Sequence, residues 1–234
     1  MAGSVGRVRV GLPSARKVTL RDGTSILVRP ILPEDRDRLR AGFARLSQLS
    51  RYQRFLSSMD SLSDQQLRYF TEIDYVNHMA WGALDPSQPD QPGLGVARYI
   101  RLPDDPTTAE AAVTVIDDYQ GRGIGTILLE LLAISARQRG IERFRGYVSA
   151  ENIRMVEILR GLGATVVREG SLLCVDVPIP TTPRELPDTP TGRVFRLVAK
   201  GALSPFQRRD PGACDQEAST LLPDRAEPPR YSGA

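Results

Sequence analysis

The stretch Val113-Thr114-Val115-Ile116-Asp117-Asp118-Tyr119-Gln120-Gly121-Arg122-Gly123-Ile124-Gly125-Thr126 constrains this chain more than any other. A β-branched apolar run stops at two aspartates and breaks into glycines at alternate positions. It then continues as Ile127–Ile134, rich in leucine and at helical rather than alternating spacing. The order is therefore strand, glycine loop, helix. Gly121, Gly123 and Gly125 leave the loop without side-chain bulk, so the unpaired N–H groups of the loop and first helical turn can close around an anion. Arg122 adds positive charge at the same place and Gln120 an amide donor. The segment predicts a pyrophosphate cradle.

Spacing narrows the ligand. A Walker loop needs a lysine after its last glycine, and none follows here. A Rossmann fingerprint needs its third glycine where Thr126 stands, and needs the loop directly after the strand. Asp117 to Gln120 intervene, although Glu142 falls near the place of the ribose-binding acid. The pattern met without departure is Gln120-Gly121-Arg122-Gly123-Ile124-Gly125, the Q/R-x-x-G-x-G/A signature. On these residues the chain resembles the GNAT superfamily of acyl-CoA-dependent N-acyltransferases. A glycine-rich strand–helix turn with no ligand is the plain alternative.

Composition bounds the rest. The 234 residues suit one ordinary domain with an appendage, and 41% hydrophobic with 25% charged residues is the balance of a chain that buries a core. A dispersed net charge of +3 demands neither nucleic acid nor a membrane surface. Met1–Pro13 lacks the apolar core of a signal peptide, and no run approaches a membrane span. Cys174 and Cys214 have no metal-ligand spacing, so the expectation is free thiols, no metal and a cytoplasmic setting.

Along the chain, Val18–Arg29 alternates on both sides of Asp22-Gly23, a hairpin signal. Pro33 with Glu34 and Asp35 opens a helix carrying the stripe Leu39, Phe43, Leu46. A second short helix starts near Ser50. Ser63-Asp64-Gln65-Gln66 reads as a capping box opening a third, with Leu67 and Phe70 inward. Met79–Leu84, Leu94–Arg101 and Ala109–Ile116 read as strands. The helix after the cradle stops at Gly140, a strand covers Ile141–Ser149, and a helix covers Asn152–Leu162 before Gly163. Thr165–Arg168 and Leu172–Val177 form a closing hairpin. From Pro178 onward stand ten of the eighteen prolines, with no sustained apolar period. The expected organisation is a globular domain over residues 17–179 and a proline-rich tail over 180–234. Within that tail, Arg193–Lys200 forms a short basic amphipathic segment.

The order of elements is similar to the GNAT fold across the whole globular part. The resemblance implies an α+β domain with a central, mostly antiparallel mixed sheet, splayed at the coenzyme site and flanked by helices. Leu20-Arg21-Asp22-Gly23, Ser50–Phe55 and Ile73-Asp74-Tyr75 before Met79-Ala80 narrow it to the catalytic domains of bacterial Pat-type protein lysine acetyltransferases. Acetyl-CoA is then the implied co-substrate. The implied partner is a protein with an acceptor lysine, an acyl-CoA synthetase among the candidates. Neither of the regulatory modules often fused to that domain fits in this length. Carried over residue by residue, the backbones of Val113 and Val115 pair with the pantetheine amides. The N–H groups of Gly121, Arg122, Gly123, Ile124, Gly125 and Thr126 hold the pyrophosphate beside Gln120. Asn152 matches the helix-start asparagine that contacts the coenzyme, and it also suits a helix cap.

Amide formation needs a base, because an amine attacks a thioester only as the free base and a lysine amine titrates near ~10.4. Glu110 is the candidate, an acid in the strand Ala109-Glu110-Ala111-Ala112-Val113 at the place of the superfamily's catalytic glutamate. Burial among alanines is expected to raise its pKa toward neutrality. An exposed strand glutamate is the alternative. The family's general-acid tyrosine, seven residues after the helix-start asparagine, is replaced here by Leu159. Tyr75 and Tyr119 are substitutes of weaker standing, each better suited to packing. His78, the single histidine, is expected to be no more than a substrate-loop residue. Three functions stay open on this reading: a protein lysine acetyltransferase, a small-molecule amine acetyltransferase, and a non-catalytic acetyl-CoA-binding module.

Overall fold

The computed structural model describes residues 13–161 and 163–179. The proposed tail, its Arg193–Lys200 segment and Cys214 lie outside the described residues. Eight strands form one sheet: β1 (Arg16–Thr19), β2 (Ser25–Pro30), β3 (His78–Leu84), β4 (Gly93–Arg101), β5 (Thr108–Val115), β6 (Arg143–Ser149), β7 (Thr165–Glu169) and β8 (Leu172–Pro178). Their order is β1-β2-β3-β4-β5-β6-β8-β7, and every neighbouring pair is antiparallel except β5 with β6. The helices are α1 (Arg36–Ala44), α2 (Gln48–Phe55), α3 (Asp64–Thr71), α4 (Ile124–Arg137) and α5 (Ile153–Gly161). The α+β fold expected from the sequence is present, with a mixed sheet and flanking helices.

Local chemistry accounts for the boundaries. Gly23, at φ 84°, turns the β1–β2 hairpin, a conformation that costs a residue without Cβ nothing. Pro33–Asp35 forms a 3-10 turn that runs into α1. α2 begins two residues before the expected Ser50, because Ser47 caps it by accepting from the Ser50 N–H. The capping box at Ser63 and Gln66 is made as read.

Alternation along the strands divides the sheet into two faces. On one, α4 packs over β3, β4 and β5. There the Trp81 indole donates to Ser135 Oγ at 3.0 Å, and a Cβ at Gly95 would stand 2.9 Å from Thr114 O and 3.4 Å from Leu128. Gly95 thus leaves the space under Leu128 that a side chain would take, and the neighbouring strand β5 would clash with a Cβ there. α5 lies on the same face, over Val166, Arg168 and Leu173. The opposite face carries α1, α2 and α3, with α1 against β4 and α2 against β5. Over β6, β8 and β7 that face is open: Tyr147 is 40% and Val167 56% exposed.

Candidate active site

The site begins where β5 and β6 part. They pair in parallel over only three positions, Thr108 with Arg143, Ala109 with Phe144 and Glu110 with Arg145. Beyond Glu110 the strands diverge. The Arg143 N–H donates to Thr107 O, and on the other edge the Ile116 N–H donates to Leu94 O. Backbone groups alternate between edges along a strand, so the odd-numbered residues of β5 turn theirs toward β6. Val113 and Val115 therefore present N–H and C=O to the gap. Gly146 of β6 stays near the vertex, where a Cβ would meet Ala111 O at 3.5 Å.

The cradle closes the far end of the gap. Asp117–Tyr119 makes one 3-10 turn, and Gly121 and Gly123 take φ of 75° and 93°. Gly123 in this left-handed conformation stands at the N-cap of α4. Among the described residues, the six successive amides from Gly121 to Thr126 have no backbone acceptor. Nothing lies within 4 Å of where a Cβ would stand at Gly121 or Gly123, whereas Gly125 packs toward Val115 and Val113. Six free donors at a helix N-terminus suit a diphosphate, and the residues present fit a coenzyme A ester at this gap.

Two cradle side chains have other partners than expected. The exposed Gln120 amide donates to Val115 O at 3.1 Å and to Ser50 Oγ at 3.3 Å, tying loop, strand and α2 together. Asp117 reinforces that tie by accepting from the Ser47 N–H and from the hydroxyls of Ser47 and Ser50. Arg122 folds back over the Tyr119 ring, donates to Asp118 O and reaches Asp22 of the first hairpin at 3.6 Å. This last ion pair is well exposed, so it holds the guanidinium loosely. At the other side of the gap, Asn152 Oδ1 accepts from the Met155 N–H at 3.2 Å and caps α5. Its amide NH2 is not used in that bond.

Glu110 lies at the last paired position before the gap, in the same row as Ile100 and His78. It is exposed, so the burial among alanines expected from the sequence is absent. The physical reason is the parting of β6: the open sheet face beyond β5 leaves nothing to cover it. Beside it Arg145 is engaged twice by Asp176, at 2.8 Å each, which pushes the guanidinium pKa well up and leaves Glu110 outside that pair.

The other expected residues separate cleanly. Tyr75 donates its hydroxyl to Ile31 O, and Tyr119 lies under Arg122, so both serve packing. Leu159 is partly buried against the core. His78 is a strand residue, not a loop residue. Its Nε2 lies 3.0 Å from a guanidinium nitrogen of buried Arg98. Burial first and Arg98 second push its pKa down to about 3, so it stays neutral.

One residue had no sequence signal. Tyr147 is two positions beyond Arg145 on β6, on Glu110's face and on the other side of the gap. Partial burial, then the neighbouring Cys174, push its phenol above the ordinary value, so it keeps its proton. Only the strand pairing puts it on the face of Glu110, two residues beyond Arg145.

Residues 25–165 match the acetyltransferase (GNAT) domain family. The chain belongs to the GNAT acetyltransferase family. It is 40% identical over 176 residues to the acetyltransferase Pat of Mycolicibacterium smegmatis, covering 72% of this chain and 51% of that one. It thus spans about half the length of that relative. The acetyltransferase PA5475 of Pseudomonas aeruginosa is 35% identical over 145 residues, 62% of this chain and 77% of that protein. Among solved structures, the GNAT domain of S. lividans PAT superposes with a TM-score of 0.63 at 31% identity, covering 70% of this chain and 96% of that one. The chain has the fold of that GNAT domain. Among the described residues, no cluster of metal-ligating side chains and no helix long and apolar enough to cross a membrane is present.

Proposed function

We propose that this chain moves the acetyl group of acetyl-CoA onto a lysine side-chain amine of a protein, with Glu110 as general base. The observation that carries the reading is the place of Glu110. It stands at the last β5–β6 pair, on an open face, at the inner end of a gap whose outer end is the six-amide cradle. Acetyl-CoA lies with its pyrophosphate on Gly121–Thr126 and its pantetheine arm along Val113 and Val115. Asn152 reaches the coenzyme through its amide NH2, and Arg122 leaves Asp22 for the phosphate.

In this arrangement Glu110 takes a proton from the acceptor ammonium. The free amine adds to the thioester carbonyl, the C–S bond breaks, and the sulfur leaves with a proton from Tyr147. The nitrogen's second proton returns to Tyr147 through solvent, and Glu110 passes its own to bulk water, so one proton is released per turnover. The exposed face around Glu110 has no wall of its own, which suits an acceptor on a large surface rather than a small amine in a closed pocket.

The test is incubation of the purified protein with labelled acetyl-CoA and a cell lysate, followed by mapping of the label. Label on protein lysines supports the reading. Transfer only to free amines moves the assignment to a small-molecule enzyme, and tight acetyl-CoA binding without transfer reduces the chain to a binding module.

A further inference from the structure

A second opening lies between α1–α3 and the sheet. It is a cavity of about 80 Å³ with walls that include Leu39, Phe43, Leu46, Leu62 and Ile116. A single water needs only about 10–15 Å³ measured this way, so the space takes a small organic molecule. Two polar groups of the sheet reach it, Arg98 on β4 and Thr114 on β5. Arg98 stands opposite Ala112, so Thr114 is its diagonal neighbour on the same face.

Arg98 is the unusual group. It is 4% exposed, yet among the described residues it makes no ion pair. Its terminal nitrogens donate to Phe70 O at 3.3 Å each and one meets neutral His78, while the Phe70 ring lies 4.3 Å from the guanidinium carbon. A buried cation without an anion is costly, and burial together with Arg54 pushes its pKa down to about 9. The buried acid on the same cavity wall does not compensate it. Asp35 is already held by Arg29 at 2.6 and 2.7 Å, by Arg38 and by the Leu32 N–H. Thr114 Oγ1 is buried and, among the described residues, has no hydrogen-bond partner. A cation lacking its anion and a hydroxyl lacking its partner thus border one apolar space.

We propose that this cavity binds a short-chain carboxylate of about three to five carbons. The carboxylate accepts from the Arg98 guanidinium and the Thr114 hydroxyl, and the hydrocarbon body lies against Phe43, Leu46 and Ile116. A phosphate has no apolar body for these walls. The site is separate from the coenzyme gap. Arg98 and Thr114 point to the α1–α3 face, whereas the pantetheine channel runs along the backbone edge of β5; Glu110 shares that face as the other diagonal neighbour of Arg98 but is not part of the cavity wall.

Calorimetry on the full chain with butyrate as the probe tests this, with butan-1-ol and butylamine as shape controls. Butyrate should bind saturably and raise Tm, and the two controls should do neither. Arg98→Met should weaken butyrate by about tenfold or more. Thr114→Val should raise the Tm of the free protein, by removing an unsatisfied hydroxyl, while weakening butyrate. If Arg98→Met does not fold, the Thr114→Val result and the alcohol control decide. Saturating acetyl-CoA in the same cell should bind normally and leave butyrate affinity unchanged. Equal binding of butanol, undiminished binding to Thr114→Val, displacement by acetyl-CoA, or no saturable butyrate signal would each overturn the site.

Discussion

Single side chains give the sharpest tests. If Glu110 is the base, Glu110→Gln keeps shape and hydrogen bonding but cannot take the proton, so turnover should fall by about 10²–10⁴-fold with acetyl-CoA affinity unchanged. Raising the pH should partly rescue this variant, because more acceptor amine is then free; a variant with wild-type turnover returns Glu110 to an exposed strand residue. Tyr147→Phe should lower kcat by about 10²-fold at constant KM for acetyl-CoA, and a loss confined to KM would make Tyr147 a binding residue instead. Gly123→Glu should abolish acetyl-CoA binding, whereas Gly123→Asn, equally strained at the φ of 93° but uncharged, should keep more of it. Calorimetry that finds wild-type affinity in Gly123→Glu would remove the cradle assignment. His78 supplies a pH prediction whose sign is fixed by its lowered pKa of about 3 against an ordinary 6.5. Between those values the unfolded chain binds the proton and the folded one does not, so stability is complete above pH 6.5 and falls as pH drops toward 3. Urea midpoints for His78→Gln should lose this part of the acid sensitivity.

At the scale of elements, the helices and strands were legible because punctuation and period agreed. Asp22-Gly23, the Ser63 box, Gly140 and Gly170 mark real turns, and three of those glycines have positive φ. The glycine loop was legible for the same reason, since its left-handed turns and the start of α4 are set by a local run. Pairings were not. Glu110 looks buried in a row of alanines, yet its exposure depends on β6 parting from β5, which no local pattern encodes. Tyr147 was invisible because its neighbour across the sheet, Cys174, comes from β8, 27 residues downstream. Arg98 looked like an ordinary strand arginine in Val96-Ala97-Arg98-Tyr99, and only the docking of α3 buries it. Asn152 tests an element directly. As the cap of α5, Asn152→Ala should cost about 1 kcal/mol of stability while Asn152→Asp keeps it. If the amide also holds the coenzyme, Asn152→Asp should still weaken acetyl-CoA binding, and equal affinity would leave the cap as its whole role.

For the molecule as a whole, all eight strands are complete by Pro178 and no described element needs a residue beyond Ile179. Truncation before Thr181 should therefore leave a cooperative melting transition and intact acetyl-CoA binding, and a lost transition would show that later residues belong to the core. The three-pair junction of β5 and β6 has a mechanical consequence. It makes the sheet two leaves, β1 to β5 and β6 to β7, stitched along one short seam and through the helices. On the proposed function, a coenzyme arm seated in the gap would take the place of an absent strand, meeting the Val113 and Val115 edge that no described backbone reaches. Its effect on stability is then unevenly spread. At ligand near 100 times Kd the fold gains about 2.7 kcal/mol, and most of that protection should be felt in the leaf of β6, β8 and β7. Amide exchange would read it as a slowing of Gly146, Val148 and Val175 that exceeds any slowing of Val28 or Ala83, the behaviour of a hinged pair of plates closed by its own substrate.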